Sequence, residues 1–164
     1  MPPDQQAQAL HRLLLHGYRA TVPPYKVVVE NEMFLEQLVE VSTPHQTFTI
    51  QYWSRTYWKD PRLQWNQTEW PAVSTLAFRE GEVWRPDEYI YDTIQLRQTS
   101  STIIVTADGS VSTTQHRVST LACPMRISTF PFDQQTCEIV VGSSGYTQVC
   151  FEWAGPISDN LTVS

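Results

Sequence analysis

Alternating apolar and polar residues run through most of the chain and predict β-strands rather than helices. Residues 27–41 carry apolar side chains on one face of the alternation and glutamates on the other, which indicates a half-buried strand. The apolar positions are Val27, Val29, Met33, Leu35, Val39 and Val41, and the acidic positions are Glu30, Glu32, Glu36 and Glu40. Residues 47–58 repeat the alternation with Phe48, Ile50 and Tyr52 on one face. If that face is buried, Trp53 points away from the core.

A hairpin and two shorter strands are predicted further along the chain. Asp108-Gly109 stands between an apolar run at 102–105 and a strand that begins at Val111, which is the pattern of a two-residue hairpin turn. Residues 138–141 and 149–153 predict short strands on either side of a break of glycine and serine at 142–145.

One short amphipathic helix is predicted near the amino terminus. Asp4 follows two prolines and can cap a helix that Gly17 ends. The apolar residues at helical spacing are Ala7, Leu10, Leu13 and Leu14. Because the pattern contains no other helix and no internal repeat, it predicts an all-β fold, a β-sandwich of the immunoglobulin-like kind with one N-terminal α-helix.

Composition narrows the possible functions. A chain of 164 residues corresponds to one domain and is long enough to bury a core. Its formal charge of -6 and its scattered lysines and arginines argue against a nucleic-acid partner. No apolar run approaches the roughly 18 residues of a membrane span, so these residues are expected to form a soluble domain.

Cysteines and glycosylation sequons indicate a secretory protein. Sequons occur at Asn66 and Asn160. Cys123 and Cys137 have thirteen residues between them, and the run Phe-Pro-Phe-Asp at 130–133 suits a disulfide-bonded loop turned by a proline. The third cysteine, Cys150, is either a buried free thiol or has a partner outside this chain.

No residue pattern indicates an enzyme, a metal site or a cofactor. The histidines do not lie at ligand spacing from cysteines or carboxylates, and neither a glycine-rich phosphate loop nor a Gly-x-Ser-x-Gly motif occurs. The four histidines are His11, His16, His45 and His116. We interpret His116, in a predicted strand, as structural, and we expect Glu80 and Glu82 to face water.

The segment from Cys123 to Cys137 resembles the signature loop of the Cys-loop receptors, the pentameric ligand-gated ion channels, and of their soluble binding-protein relatives. Two further segments are similar to that family. Residues 53–65 have the pattern W-x4-W-x-D-x2-L-x-W, and residues 84–87 have the pattern W-x-P-D. The resemblance implies that Trp58, Asp60, Leu63, Trp65, Trp84, Pro86 and Asp87 have structural roles.

The same resemblance implies a ligand site between adjacent subunits. Trp53 matches an aromatic of the complementary face, and Tyr91 matches the first aromatic of the principal face. Residues 142–153 are similar to the second loop of the principal face, but Ser144 stands where the family has an aromatic ring. The ligand-binding residues implied are Trp53, Tyr91, Tyr146, Ser144, Ile104, Ser112 and Thr114.

We therefore expect residues 1–164 to be the extracellular ligand-binding domain of a homo- or hetero-pentameric channel. The alternatives are a secreted ligand-binding protein without a pore, or an adhesion or assembly sandwich whose exposed aromatics contact another protein. By comparison with the family, the domain is expected to be incomplete at its carboxyl end. The last strands, the hairpin that caps the ligand and the membrane helices would be missing, so this chain would reach the membrane only through those segments.

Overall fold

The computed structural model describes residues 1–124, 135–142, 150–153 and 160–163, and these residues form strands with one α-helix. The helix α1 spans Pro3–Leu15, and a single 3-10 turn spans Pro61–Leu63. The strands are β1 (Val28–Ser42), β2 (Thr47–Lys59), β3 (Thr75–Phe78), β4 (Tyr89–Ile90), β5 (Thr93–Gln98), β6 (Ile103–Thr106), β7 (Ser110–Ala122), β8 (Gln135–Glu138), β9 (Val141–Gly142), β10 (Cys150–Trp153) and β11 (Asn160–Val163).

Most of these strands belong to one large sheet, in the order β10-β1-β2-β7-β6-β3. The short strand β5 also pairs with β7, beyond the end of β6. Two smaller pairs, β4 with β9 and β8 with β11, lie outside this sheet. Apart from the parallel pair of β1 with β10, the described pairs are antiparallel. The predicted all-β fold with an N-terminal helix is confirmed.

Among the described residues, two apolar clusters lie in the interior, one toward each end of the long strands β2 and β7. The first cluster includes Leu10, Val29, Trp58, Leu63, Phe78, Trp84, Ile103 and Val111. The second includes Phe48, Ile50, Tyr52, Ile90, Leu121, Cys123 and Cys137. Between the clusters, the inward positions of β1, β2 and β7 carry buried polar side chains, which we call the polar layer: Asn31, Ser54, Thr56, Thr113, Gln115 and Arg117.

The helix differs from its prediction at both the cap and the buried face. Pro2 occupies the N-cap position, and no side chain caps the helix; Asp4 lies in the first turn, where its charge favours the helix dipole. Leu10 is buried, but Leu13 is 60% exposed because it lies roughly 100° around the helix from Leu14. Gly17 has a φ of +73°, as expected for a residue that ends a helix.

Strand β1 departs from simple alternation because its register against β2 shifts twice, once after Leu35 and once after Leu38. Each shift inserts a residue and changes the face that the following residues take. Leu38 therefore lies opposite the buried Ile50, whereas Val39 falls within the second shift and is exposed. The prediction that Val39 belongs to the apolar face is wrong. Leu35 keeps its predicted face but is about half exposed.

The predicted hairpin joins β6 to β7, but its turn is longer than expected. Residues 107–109 lie between the strands, and the Gly109 amide donates to the Thr106 carbonyl oxygen at 2.9 Å. Gly109 has a positive φ and Asp108 does not, which is a type I turn followed by a left-handed glycine rather than a two-residue turn. Asp108 accepts hydrogen bonds from Thr106 and Ser110, which lower the pKa of its carboxyl to about 2.

Gly109 also lies too close to its neighbours for a side chain. A Cβ atom there would lie 2.8 Å from the Asp60 carbonyl oxygen and 2.7 Å from Gln64 Cγ, whereas Gly81, also at positive φ, has open space around it. Both Gly→Ala variants are strained at φ, but only Gly109→Ala adds this overlap with backbone. We expect Gly109→Ala to lower the free energy of unfolding by about 1 kcal/mol more than Gly81→Ala. Equal losses in urea denaturation would contradict this.

The predicted strand at 138–141 is divided in two. Strand β8 ends at Glu138 and pairs with β11, whereas β9 begins at Val141 and pairs with β4. The chain changes partner between them, so a continuous strand there was a wrong prediction. Of the predicted strand at 149–153, the described residues Cys150–Trp153 are confirmed as β10.

The Cys123–Cys137 disulfide is present, with its Cα atoms 5.7 Å apart and both residues buried in the second cluster. The Phe-Pro-Phe-Asp run lies outside the described residues. Cys150 is the third cysteine, and its backbone belongs to β10.

The structural roles implied for the two tryptophan motifs are largely confirmed. Trp58, Asp60, Leu63, Trp84 and Pro86 are buried. Trp65 packs against the first cluster and donates its indole N–H to the Val73 carbonyl oxygen at 3.0 Å. Asp87 differs, because it is exposed and the next residue, Glu88, carries the buried carboxylate.

Candidate functional site

A groove of about 360 Å³ crosses the outward face of β2, β6 and β7. Its lining includes four of the residues singled out in the sequence, namely Trp53, Ile104, Ser112 and Thr114. Trp53 is 43% exposed, as the alternation of β2 predicted. Ile104 lies opposite Ser112 in the sheet, so the apolar and hydroxyl parts of the groove are held by backbone pairing.

The groove exists because β5 and β6 share one edge of β7 and leave a gap between them. Gln98 of β5 pairs with Arg117, and Ile103 of β6 pairs with Thr113. The intervening segment, Thr99-Ser-Ser-Thr102, lines the groove. Ser and Thr compete with strand pairing through their own hydroxyls, which is consistent with a loop at this point.

Trp53 contacts His116, which its place in a predicted strand indicates as structural. His116 lies opposite Trp53 in the β2–β7 pair, and the ring centroids are 4.9 Å apart with planes tilted by 54°. His116 Nε2 is 3.1 Å from Oε2 of Glu36 in β1. His116 thus touches the candidate site, and the register of β7, in which it shares a face with Ser112 and Thr114, was a signal that could have identified it.

Glu36 adds a fixed negative charge beside this group. Gln51 Nε2 donates to its Oε2 at 2.8 Å. The hydrogen bond from Gln51, and next the one with His116, hold the pKa of Glu36 below its usual range. A carboxylate held in this way stays ionised at neutral pH.

Tyr91 lies in a second aromatic group, on the β4–β9 pair. Its backbone N–H donates to the Val140 carbonyl oxygen at 2.9 Å, and its ring meets that of Tyr89 edge to face at 5.2 Å. Tyr91 is 47% exposed. A Cβ at Gly142 would lie 3.1 Å from Tyr91 Cε2, so the glycine lets the ring rest against β9.

The structure thus joins four of the seven proposed ligand-binding residues in one groove and places Tyr91 in a separate group. Ser144 and Tyr146 lie outside the described residues. Tyr89 is exposed beside Tyr91 and was not singled out in the sequence; its ring contact with Tyr91 is what identifies it.

The groove combines an aromatic face, one aliphatic side chain and a row of hydroxyls. An arrangement of this kind can stack on a flat or cationic group and hydrogen-bond a polar one. Among the described residues, no group of three or more His, Cys, Asp or Glu is placed to hold a metal ion. Within the same residues, no helix is long and apolar enough to span a bilayer.

Of the two sequons, Asn66 is exposed in a turn, where its side-chain oxygen accepts from the Thr68 backbone N–H at 3.0 Å. Asn160 lies in β11, and its side chain is outside the described part of the structure.

Comparison with known proteins gives one consistent result. Residues 7–157 match the family described as the neurotransmitter-gated ion-channel ligand binding domain. The chain is 31% identical over 152 residues to the neuronal acetylcholine receptor subunit alpha-6 of Mus musculus, covering 87% of this chain and 30% of that protein. It is 30% identical over 152 residues to ligand-gated ion channel 4 of Caenorhabditis elegans, covering 85% of this chain and 24% of the relative. These matches span less than a third of either relative's length.

Proposed function

Because this chain belongs to the family of neurotransmitter-gated ion-channel ligand-binding domains, the Cys-loop receptors, we propose that it forms the extracellular ligand-binding part of a channel subunit. It would bind a small ligand between adjacent subunits and pass the resulting movement to a pore. The relatives' names, which include receptor subunits and a ligand-gated channel, support a channel subunit over a secreted relative.

The observation that carries the proposal is the Trp53 groove. An exposed tryptophan is positioned by a paired strand beside Ile104, Ser112 and Thr114, and the Tyr91 group lies elsewhere on the same chain. A ligand site between two copies of one chain needs two different surfaces on each copy, and the Trp53 groove and the Tyr91 group can supply them. We propose that the Trp53 groove of one subunit faces Tyr91 and Tyr146 of the next.

We expect the protein to assemble into a ring of five, since contacts between two different faces of identical subunits close into rings. Light scattering should then give a mass about five times the 18.9 kDa of one chain. A monomer at high protein concentration would refute the ring for this chain.

Trp53 is expected to supply a large share of ligand affinity. Trp53→Ala should weaken binding of any small ligand that the protein takes by about 30-fold, or about 2 kcal/mol, the loss expected at an aromatic anchor that a ligand and the next subunit cover. Trp53→Phe keeps a ring and should lose less. Calorimetry measures both variants, with Leu13→Ala as the control because Leu13 is an exposed apolar side chain on the helix. A ligand that binds wild-type protein and Trp53→Ala with the same affinity would refute this site.

For the ligand class, we propose a more polar or a larger amphiphilic molecule than acetylcholine. Ser144 stands where the family has a ring, so a quaternary ammonium would lose one wall of an aromatic cage, and a cation–aromatic contact contributes about 0.5 to 2 kcal/mol. The hydroxyls of the groove favour a ligand that hydrogen-bonds. Acetylcholine should therefore bind weakly or not at all, and tight binding in the same calorimetry would contradict the role assigned to Ser144.

The proposed location is the extracellular face of the cell membrane. A disulfide and an exposed sequon at Asn66 suit the secretory pathway, and we propose that Asn66 carries a glycan there. Asn160 is proposed as a second acceptor on its sequence alone.

A further inference from the structure

A buried ion pair lies at the centre of the polar layer. Arg117 Nη1 is 2.7 Å from Glu88 Oε2, and the two side chains are 5% and 3% exposed. Arg117 belongs to β7, and Glu88 belongs to the segment that leads into β4. The pair therefore joins the large sheet to the segment that carries Tyr91.

Glu88 is held by three further donors on two other strands. Its Oε1 accepts from Asn31 Nδ2 at 2.5 Å and from the Thr56 hydroxyl, and its Oε2 accepts from Ser54 at 3.4 Å. With Arg117, the carboxylate thus contacts β1, β2 and β7 at once. Such a carboxylate has little freedom to move without breaking several hydrogen bonds.

Arg117 continues the network to the wall of the Trp53 groove. Its Nη2 donates to Gln115 Oε1 at 2.7 Å, and Gln115 Nε2 donates to the Thr99 carbonyl oxygen and to Glu80 Oε1, both at 3.3 Å. Glu80 accepts from the Ser101 amide and hydroxyl at 3.0 and 2.8 Å, so it does not simply face water as expected. Thr99 and Ser101 line the groove.

This network contributes little as a source of stability. Burying two charges carries a large desolvation penalty, and replacing a buried ion pair with apolar side chains of similar volume is often neutral or stabilising. The layer also interrupts what would otherwise be one continuous apolar core. What the pair supplies is geometry, because the hydrogen bonds of Glu88 and of the two Arg117 Nη atoms require one arrangement of the four segments, although the buried Arg117 Nε has no hydrogen-bond partner among the described residues.

We infer that the Glu88–Arg117 pair is a positioning element that sets the Tyr91 segment and the Trp53 groove relative to each other. Glu88 lies next to Tyr89 in the chain, and Arg117 lies next to His116, which contacts Trp53. In a ring, one subunit would contribute these two faces to two different ligand sites. The pair would then couple neighbouring sites, an extension that rests on the proposed function.

Fluorine NMR tests the inference without a bound ligand and without assembly of the subunits. Protein labelled with fluorotyrosine and fluorotryptophan gives a resonance for each ring, and Tyr91→Phe and Trp53→Phe assign the two that matter. The double variant Glu88→Leu with Arg117→Met replaces the pair with apolar side chains and should fold. We expect both assigned resonances to shift by more than their line widths. Arg117→Lys, which keeps the charge but loses the planar fork, should shift both by less.

Leu10→Ala is the matched control, because it opens a cavity in the first cluster, which includes no member of the network. In Leu10→Ala protein, the assigned resonances of Tyr91 and Trp53 should not shift. The inference is overturned if the double variant moves neither resonance or only one, or if Leu10→Ala moves both equally. It is also overturned if no variant of the pair folds, since the pair would then be a folding requirement. Unmoved resonances in a protein that still binds a ligand through Trp53 would overturn this inference and leave the proposed function standing.

Discussion

We expect Asp60→Asn to lower the free energy of unfolding by about 3 kcal/mol, the lower end of the range for breaking a buried ion pair. The Asp60 side chain is fully buried and accepts from the Tyr18 hydroxyl at 2.6 Å and from Arg62 Nη2, Nε and backbone N at 2.8, 2.9 and 3.0 Å. An asparagine has one acceptor oxygen, and its amide N–H groups would face these donors. We expect the lower end of this range because the Arg62 side chain is one-third exposed, so water can hydrogen-bond the guanidinium once its partner carboxylate is gone.

Asp60→Asn should weaken more than the Asp60–Arg62 ion pair, because Tyr18 connects Asp60 to the first cluster. Its hydroxyl also accepts from the Trp84 backbone N–H at 3.0 Å, and burial and then the Asp60 hydrogen bond raise the Tyr18 pKa. Asp108→Asn is the matched control, since that carboxylate also accepts hydroxyl hydrogen bonds but is exposed. Guanidinium denaturation compares the two. A loss at Asp60 no larger than that at Asp108 would refute the structural role of Asp60.

Removing the disulfide with the double variant Cys123→Ser and Cys137→Ser should also lower the free energy of unfolding by about 3 kcal/mol, the loop-entropy value for a loop of about 15 residues. Both cysteines are buried in the second cluster, and the Cys123 amide donates to the Gln46 carbonyl oxygen at 2.8 Å. The bond thus fixes the turn between β1 and β2 as well as its own loop.

The comparison is best made in a Cys150→Ser background, which excludes exchange with the third thiol. Reduction of the protein without mutation should give the same loss within error. A double variant as stable as its background would mean that the bond constrains little in the unfolded chain.

The sequence predicted the parts of the fold that follow from alternating apolar and polar residues and from the positions of glycines at turns and helix ends. Strand β2 alternates over its whole length, so the outward position of Trp53 was correct, and Gly17 marked the end of the helix and the Asp108-Gly109 pair a hairpin turn. The resemblance to a family identified part of the groove lining, since Ile104, Ser112 and Thr114 come from two strands whose pairing no local pattern shows.

What the sequence did not predict depends on contacts between distant segments. The register shifts of β1 are set by pairing with β2, so Val39 could not be assigned to its exposed face from alternation. Glu88 is a single acidic residue beside Asp87, and only the approach of Arg117, far along the chain, makes it the buried one. His116 likewise acquires its role from the register that places it against Trp53.

The polar layer also bears on how the domain loses its structure. In the part of the chain that the structure describes, the two apolar clusters are joined by the backbone of β1, β2 and β7 rather than by continuous hydrophobic contact, so each resembles the core of a smaller domain. Asp60 supports one cluster and the disulfide supports the other. We expect such a molecule to unfold as two cooperative units whose coupling passes through hydrogen bonds, so that a single melting temperature would describe the weaker unit only.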